Sequence, residues 1–204
     1  MDSGGQNIYV AQVSAHLAAA GHSVDVFTRR DAEGLPAVVE VRPGMRVVHV
    51  PAGPPAYVRK EDLLPCMGAF TAHMIRALRE RHYDVVHANF WMSALVAADL
   101  KRLLRVPFVI TFHALGRVRR RHQREADGFP ACREAIEERV IRECDRLIAE
   151  CPQDREDLLT LYGADPATIV TIPCGFDPRE FWPVPQAAAR RVLGDKSMAL
   201  TAIL

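Results

Sequence analysis

Two glycines run into the polar head of a helix at Gly4-Gly5-Gln6-Asn7, and that pattern suits an anion. Glycines let a backbone approach a ligand closely, and the unpaired N–H groups of a helix start attract a phosphate. The bland alternative is a flexible start followed by a helix cap, and the turn matches neither GxGxxG nor a P-loop. A second group follows a short apolar run: His87, Asn89, Phe90 and Trp91. Trp91 could wall a sugar-sized pocket, because an aromatic face packs well on a C–H-rich ring, or it could be plain core. His113 ends another apolar run, where a neutral imidazole can hydrogen-bond a ligand hydroxyl or simply pack.

The densest basic run is residues 117–124, RVRRRHQR. Three readings stay open for Arg117 and its neighbours: a nucleic-acid patch, a solvated face, or local attraction for an anionic substrate. With a net charge of +1 and no aromatic interleaving, nucleic acid is the weakest of the three. Lys60 is most simply surface. Arg133 starts a helix, an unfavourable end for a cation, which makes a ligand-facing role more plausible. The glutamates of that helix, Glu134, Glu137, Glu138 and Glu143, read mostly as surface partners one turn from arginines. No Ser-His-Asp arrangement, metal-ligand spacing or pair of carboxylates placed for acid–base work stands out.

The elements that must hold these residues are legible from pattern. Residues 5–20 read as a helix with Ile8, Val10, Val13 and Leu17 mostly on one face and Gly21 as its stop. Residues 23–29, 37–42 and 45–50 read as strands, the last two joined through Pro43-Gly44. Residues 62–81 read as a helix. Then short apolar strands (84–88, 107–113, 146–151, 168–173) alternate with helices (92–104, 131–144, 153–162). That rhythm predicts a parallel sheet with helices on both faces and ligand loops at one edge. The edge loops are 89–91, 113–124 and 174–177.

At 204 residues the chain can bury a substantial core, and 49% hydrophobic with 25% charged is ordinary globular usage. Five scattered cysteines without a CxxC pair read as reduced, buried thiols in a cytoplasmic protein. No apolar run approaches a membrane span.

Taken in order, DSGGQNIYV, RPGMRVVHVPAGP, KEDLLP, DVVHANFWMSAL, TFHALGRVRRRH, ECDRLIAECPQDREDLLTLYG and IVTIPCGFDPREFWP resemble the N-terminal half of retaining GT-B glycosyltransferases of family 4. The sucrose-phosphate synthase and D-inositol-3-phosphate glycosyltransferase branch is the nearest in look. The likeness implies a Rossmann-like N-terminal domain over 1–185 that binds the acceptor, followed by the start of an interdomain segment over 186–204. It implies hexosyl transfer, with retention, from a nucleotide sugar of the UDP-glucose type to a sugar or sugar-phosphate acceptor. No metal or other cofactor, nucleic acid or membrane span is expected. By the same resemblance Gly4 and Gly5 would touch the donor diphosphate, and His113 would lie near the transferred sugar. Gln6, Asn7, Lys60, Phe90, Trp91, Arg117 and Arg133 form the candidate acceptor side.

Two departures stand out. Phe90 and Ala114 each replace a hydroxyl-bearing residue of the inositol-phosphate branch, which counts against that acceptor. The family's first strand is not seen ahead of Asp2, nor a donor domain after about residue 193. The expectation is therefore a chain with little activity alone, to which a partner chain could supply the donor domain. The alternative is a non-catalytic sugar or sugar-phosphate binding module.

Overall fold

A computed structural model describes residues 5–179 and 181–193. Two units emerge, Met1–Pro173 and Cys174–Leu204.

The first unit opens with helix α1 (Gly5–Ala19), which lies against β1 (Val24–Arg29) and β3 (Met45–Val50) and buries Ser14 and Ala15. The expected apolar face is only half met. Val10 and Val13 are half-buried, while Ile8 is 61% exposed and Leu17 41%. At about 100° per residue, Ile8 lies half a turn round the helix from Leu17, so no single surface can cover both.

β2 (Val38–Arg42) and β3 form the expected antiparallel hairpin, with Gly44 at φ +78° in the turn. β1 pairs in parallel with β3, giving a three-stranded sheet in the order β1-β3-β2.

Where one helix was expected over 62–81, two 3-10 turns (Lys60–Asp62 and Leu64–Cys66) precede α2 (Met67–Glu80). Pro65 explains the delay: it has no N–H to donate and is tolerated only near a helix start.

The second sheet is wholly parallel, in the order β4-β5-β6-β7 (Val86–Asn89, Phe108–Thr111, Arg146–Ala149, Ile169–Thr171). Between its strands run α3 (Trp91–Leu104), α4 (Gly116–Gln123), α5 (Arg133–Glu143) and α6 (Pro152–Tyr162). The alternation predicted from sequence is therefore present, as two sheets among the described residues. One expectation is corrected here: most of the basic stretch 113–124 is helical, not loop. Arginine is a good helix former, and neighbouring carboxylates take up three of its charges (Arg117 with Glu134 and Glu138, Arg119 with Asp127, Arg120 with Glu134).

The core centres on α3, β5 and β6: Trp91, Ala94, Ala98, Phe108, Ile110, Leu147 and Val140 are at or near full burial. A smaller cluster of Met74, Val96 and Leu100 packs with Phe27 of β1. A polar clasp also ties β1 to the segment entering β4. Asp25, its side chain 2% exposed, accepts from Arg46 Nε at 2.8 Å and from the Tyr83 hydroxyl at 2.6 Å. Burial alone would raise the Asp25 carboxyl; hydrogen bonds from Arg46 and Tyr83 outweigh it and hold it below the usual range.

Of the five cysteines only Cys144 is buried, while Cys132 and Cys174 are exposed. The expectation of five buried thiols therefore fails at four positions. In the second unit the described helix is α7 (Gln186–Leu193).

Candidate active site at the carboxyl edge of the parallel sheet

Three strand ends converge. β4 delivers Asn89, β5 leads through Phe112 to His113, and β6 leads to Glu150. His113 Nδ1 lies 3.0 Å from Glu150 Oε2, and its Nε2 lies 2.9 Å from Asn89 Oδ1. Ligands of open parallel sheets bind outside this edge.

The backbone is unusual at two of these strand ends. His113 has φ +59°, and Phe90 has φ +77° with ψ 157°, a combination otherwise almost confined to glycine. Such strain costs about 1–3 kcal/mol and clusters at functional sites.

The first turns of α1 reach the same edge. The Tyr9 ring meets the His113 ring edge-on at 4.8 Å, and the Gln6 amide donates to the Asn89 carbonyl at 3.4 Å. Below them His87 Nε2 pairs with Thr111 Oγ1 at 2.9 Å. Burial, helped by the neighbouring His113, pushes the His87 imidazole down to about 4, so it is neutral near pH 7. Beside His113 opens a cavity of about 250 Å³, lined in part by Leu115, Val118, Arg119, Glu150 and Asp154.

A second cluster lies at the start of α5. Arg133 is 1% exposed, its Cζ 4.7 Å from the Phe129 ring centre, 5.1 Å from Phe90 and 5.8 Å from Trp91. Its Nε donates to Glu137 Oε1 at 2.8 Å and its Nη2 to the Ala114 carbonyl at 2.5 Å. Nη1 is buried and without a hydrogen-bond partner. Glu137, fully buried, also accepts from the Gly116 N–H and the Tyr162 hydroxyl. Desolvation raises the Glu137 carboxyl, against the pull of Arg133 and Tyr162. Desolvation, with the Glu137 charge, raises the Tyr162 hydroxyl too.

The residues singled out from sequence therefore separate into groups. Gln6 joins His113 and Asn89, while Phe90, Trp91 and Arg133 join each other. Gly5 opens α1, and a Cβ there would meet nothing within 4 Å, so packing does not demand the glycine. Gly4 lies outside the described residues. Asn7 is in the first turn of α1. Lys60 begins an exposed 3-10 turn whose next residue, Glu61, lies against Gly128. Arg117 faces α5 and α6, with its guanidinium on Glu134, Glu138 and the Leu161 carbonyl.

Three expectations are adjusted. Trp91 is fully buried, so it belongs to the core. The dipole misfit of Arg133 is answered by Glu137 one turn on. Glu137 is then no surface partner. Two functional candidates escaped the sequence: Glu150, which follows β6 inside the ECDRLIAECPQDREDLLTLYG motif but carries no mark of its own there, and Glu137, whose spacing from Arg133 was visible but whose burial was not.

The Glycosyltransferase Family 4 profile matches residues 3–180. The chain belongs to this family. It is 42% identical over 194 residues to a D-inositol 3-phosphate glycosyltransferase of Kineococcus radiotolerans, covering 93% of this chain and 45% of that protein. The corresponding protein of Actinosynnema mirum is 40% identical over 197 residues, covering 95% and 47%. Among solved structures, sucrose-phosphate synthase from Thermosynechococcus elongatus superimposes with a TM-score of 0.83 at 33% identity, covering 93% of this chain and 47% of that one. The chain thus spans about half the length of these relatives. Among the described residues no helix is long and apolar enough to cross a membrane. None of their His, Cys, Asp and Glu side chains form a group that could hold a metal.

Proposed function

We propose that the whole protein is a retaining glycosyltransferase and that this family 4 chain carries its acceptor side. The observation that carries the reading is His113, held between Asn89 and Glu150 at the carboxyl edge of the parallel sheet. In the reaction a hexosyl group leaves a nucleotide sugar of the UDP-glucose kind for an acceptor hydroxyl. The anomeric C–O bond to the diphosphate breaks, a new C–O bond to the acceptor forms on the same face, and the proton of the acceptor hydroxyl passes to the departing diphosphate oxygen. Gly4 and Gly5 would meet the diphosphate with backbone N–H groups, countering charge as it builds on the leaving group. No metal is assigned a part. A cytoplasmic setting agrees with five scattered cysteines that form no CxxC pair.

Gln6, Asn7, Lys60, Phe90, Trp91, Arg117 and Arg133 are the acceptor-side candidates, and burial ranks them. Trp91 and Arg133 are buried and would act only from behind, through the Phe90 ring that both touch, and Lys60 is an exposed cation. Arg117 would first have to leave Glu134 and Glu138. Cations without the hydroxyls missing at Phe90 and Ala114 favour a hexose phosphate over an inositol phosphate.

Calorimetric titration of the chain with glucose 6-phosphate, fructose 6-phosphate, inositol phosphate and UDP tests this. The expected result is saturable binding of a hexose phosphate, weakened by Lys60→Ala. Silence towards every sugar phosphate would overturn the acceptor-side reading. Binding without transfer in the full-length protein would make it a binding module instead.

A further inference from the structure

We propose that Glu150 is the positioning residue for His113: it keeps a proton on Nδ1 and so makes Nε2 the atom that His113 offers to a ligand. The inference rests on reading His113 as the residue nearest the transferred sugar. An ionised carboxylate only accepts, so the 3.0 Å contact with Oε2 requires the hydrogen on Nδ1. Both side chains are well enclosed, 12% and 18% exposed. The main chain at Glu150 is itself fixed: its backbone N–H donates to Asp154 Oδ2 at 3.0 Å, in the first turn of α6. The ring is held by contacts at both nitrogens and by the Tyr9 ring packed edge-on against it at 4.8 Å.

On its other side, Nε2 meets the Asn89 side-chain amide at 2.9 Å. An amide can turn over, offering its NH₂ to a neutral ring or its oxygen to a charged one. A sugar hydroxyl is donor and acceptor at once, so it can replace that amide on Nε2 in either protonation state. Glu150 therefore decides which nitrogen is exchangeable, and Asn89 occupies the place that a hydroxyl would take.

The test is long-range ¹H–¹⁵N correlation of the histidine-labelled chain, read on the signals of the neutral ring. The native protein and Glu150→Gln, which still offers an acceptor, are expected to carry the His113 proton on Nδ1. Glu150→Leu is expected to move it to Nε2, the tautomer imidazole prefers in water. A native spectrum with the proton on Nε2 overturns the proposal, whether or not any variant folds, and so does a Leu variant that keeps it on Nδ1. Adding glucose 6-phosphate separately tests the sugar-facing role. A native Nε2 resonance that does not move defeats the reading of His113 beneath this inference, while the tautomers still judge Glu150.

Discussion

Gly116 sits directly on the carboxylate of Glu137. Its N–H donates to both oxygens, at 3.1 and 3.0 Å, and a Cβ at this position would lie 2.7 Å from Oε2. The carboxylate cannot retreat, because Arg133 and Tyr162 hold it and it is fully buried. Gly116→Ala should therefore destabilise the chain by about 1–3 kcal/mol, as overpacking does. Urea unfolding measures this; a change within a few tenths of a kcal/mol would mean that the cluster gives way.

The Arg133–Glu137 pair is fully buried, so removing one partner strands the other. Glu137→Leu alone should cost about 3–5 kcal/mol, because an uncompensated guanidinium stays inside. The double variant with Arg133→Met should recover much of that loss. A double variant no more stable than Glu137→Leu would deny that the stranded charge is the cause.

Phe90 pays for its backbone angles with its contacts to Arg133, Trp91 and Phe129. Phe90→Ala removes the ring and keeps the strain, whereas Phe90→Gly removes both. Glycine at 90 should then be the more stable of the two by about 1 kcal/mol, after its greater unfolded-state entropy is subtracted. Thermal melts compare them directly, and an alanine variant equal to or better than glycine would show the position unstrained.

His87 sets an acid-side limit. Its folded value of about 4 lies below the ordinary 6.5, so folding favours the neutral ring. That contribution is complete above about pH 6.5 and is lost as pH falls towards 4. Stability should decline through this window, and His87→Gln should flatten the decline. A histidine titrating near 6.5 in the native chain's NMR spectrum, assigned to His87, would contradict it.

Tyr83 sets the opposite limit. Burial, with the hydrogen bond to Asp25, raises its hydroxyl from 10 to about 12. Its contribution is present below pH 10 and is lost as pH rises towards 12. Tyr83→Phe should cost about 1–2 kcal/mol by leaving Asp25 short of a donor. It should also lessen the alkaline loss, Tyr162 and Cys144 accounting for the remainder, and a variant that keeps the full native alkaline profile would place that share elsewhere.

Much of the fold was legible because its signals are local. Continuous apolar strands such as 107–113, alternating with helices, announce a parallel sheet, and Pro43-Gly44 announces a hairpin. The carboxyl-edge site followed from the same rhythm, which put Asn89 and His113 at strand ends. The α1 face was misjudged because Ile8 and Leu17 lie half a turn apart, which their spacing already shows; the basic run was read as loop, since its window does not show which carboxylates its arginines will meet.

The order of seven motifs, read from sequence alone, was enough to place the chain in family 4. Tertiary structure alone decided which carboxylates matter. Glu150 and Glu137 are ordinary glutamates in the sequence, but packing brings one to His113 across 37 residues and seals the other beneath Gly116. A charge acquires its chemical role from the solvent it loses and the partner it gains, and both come from residues distant in the chain.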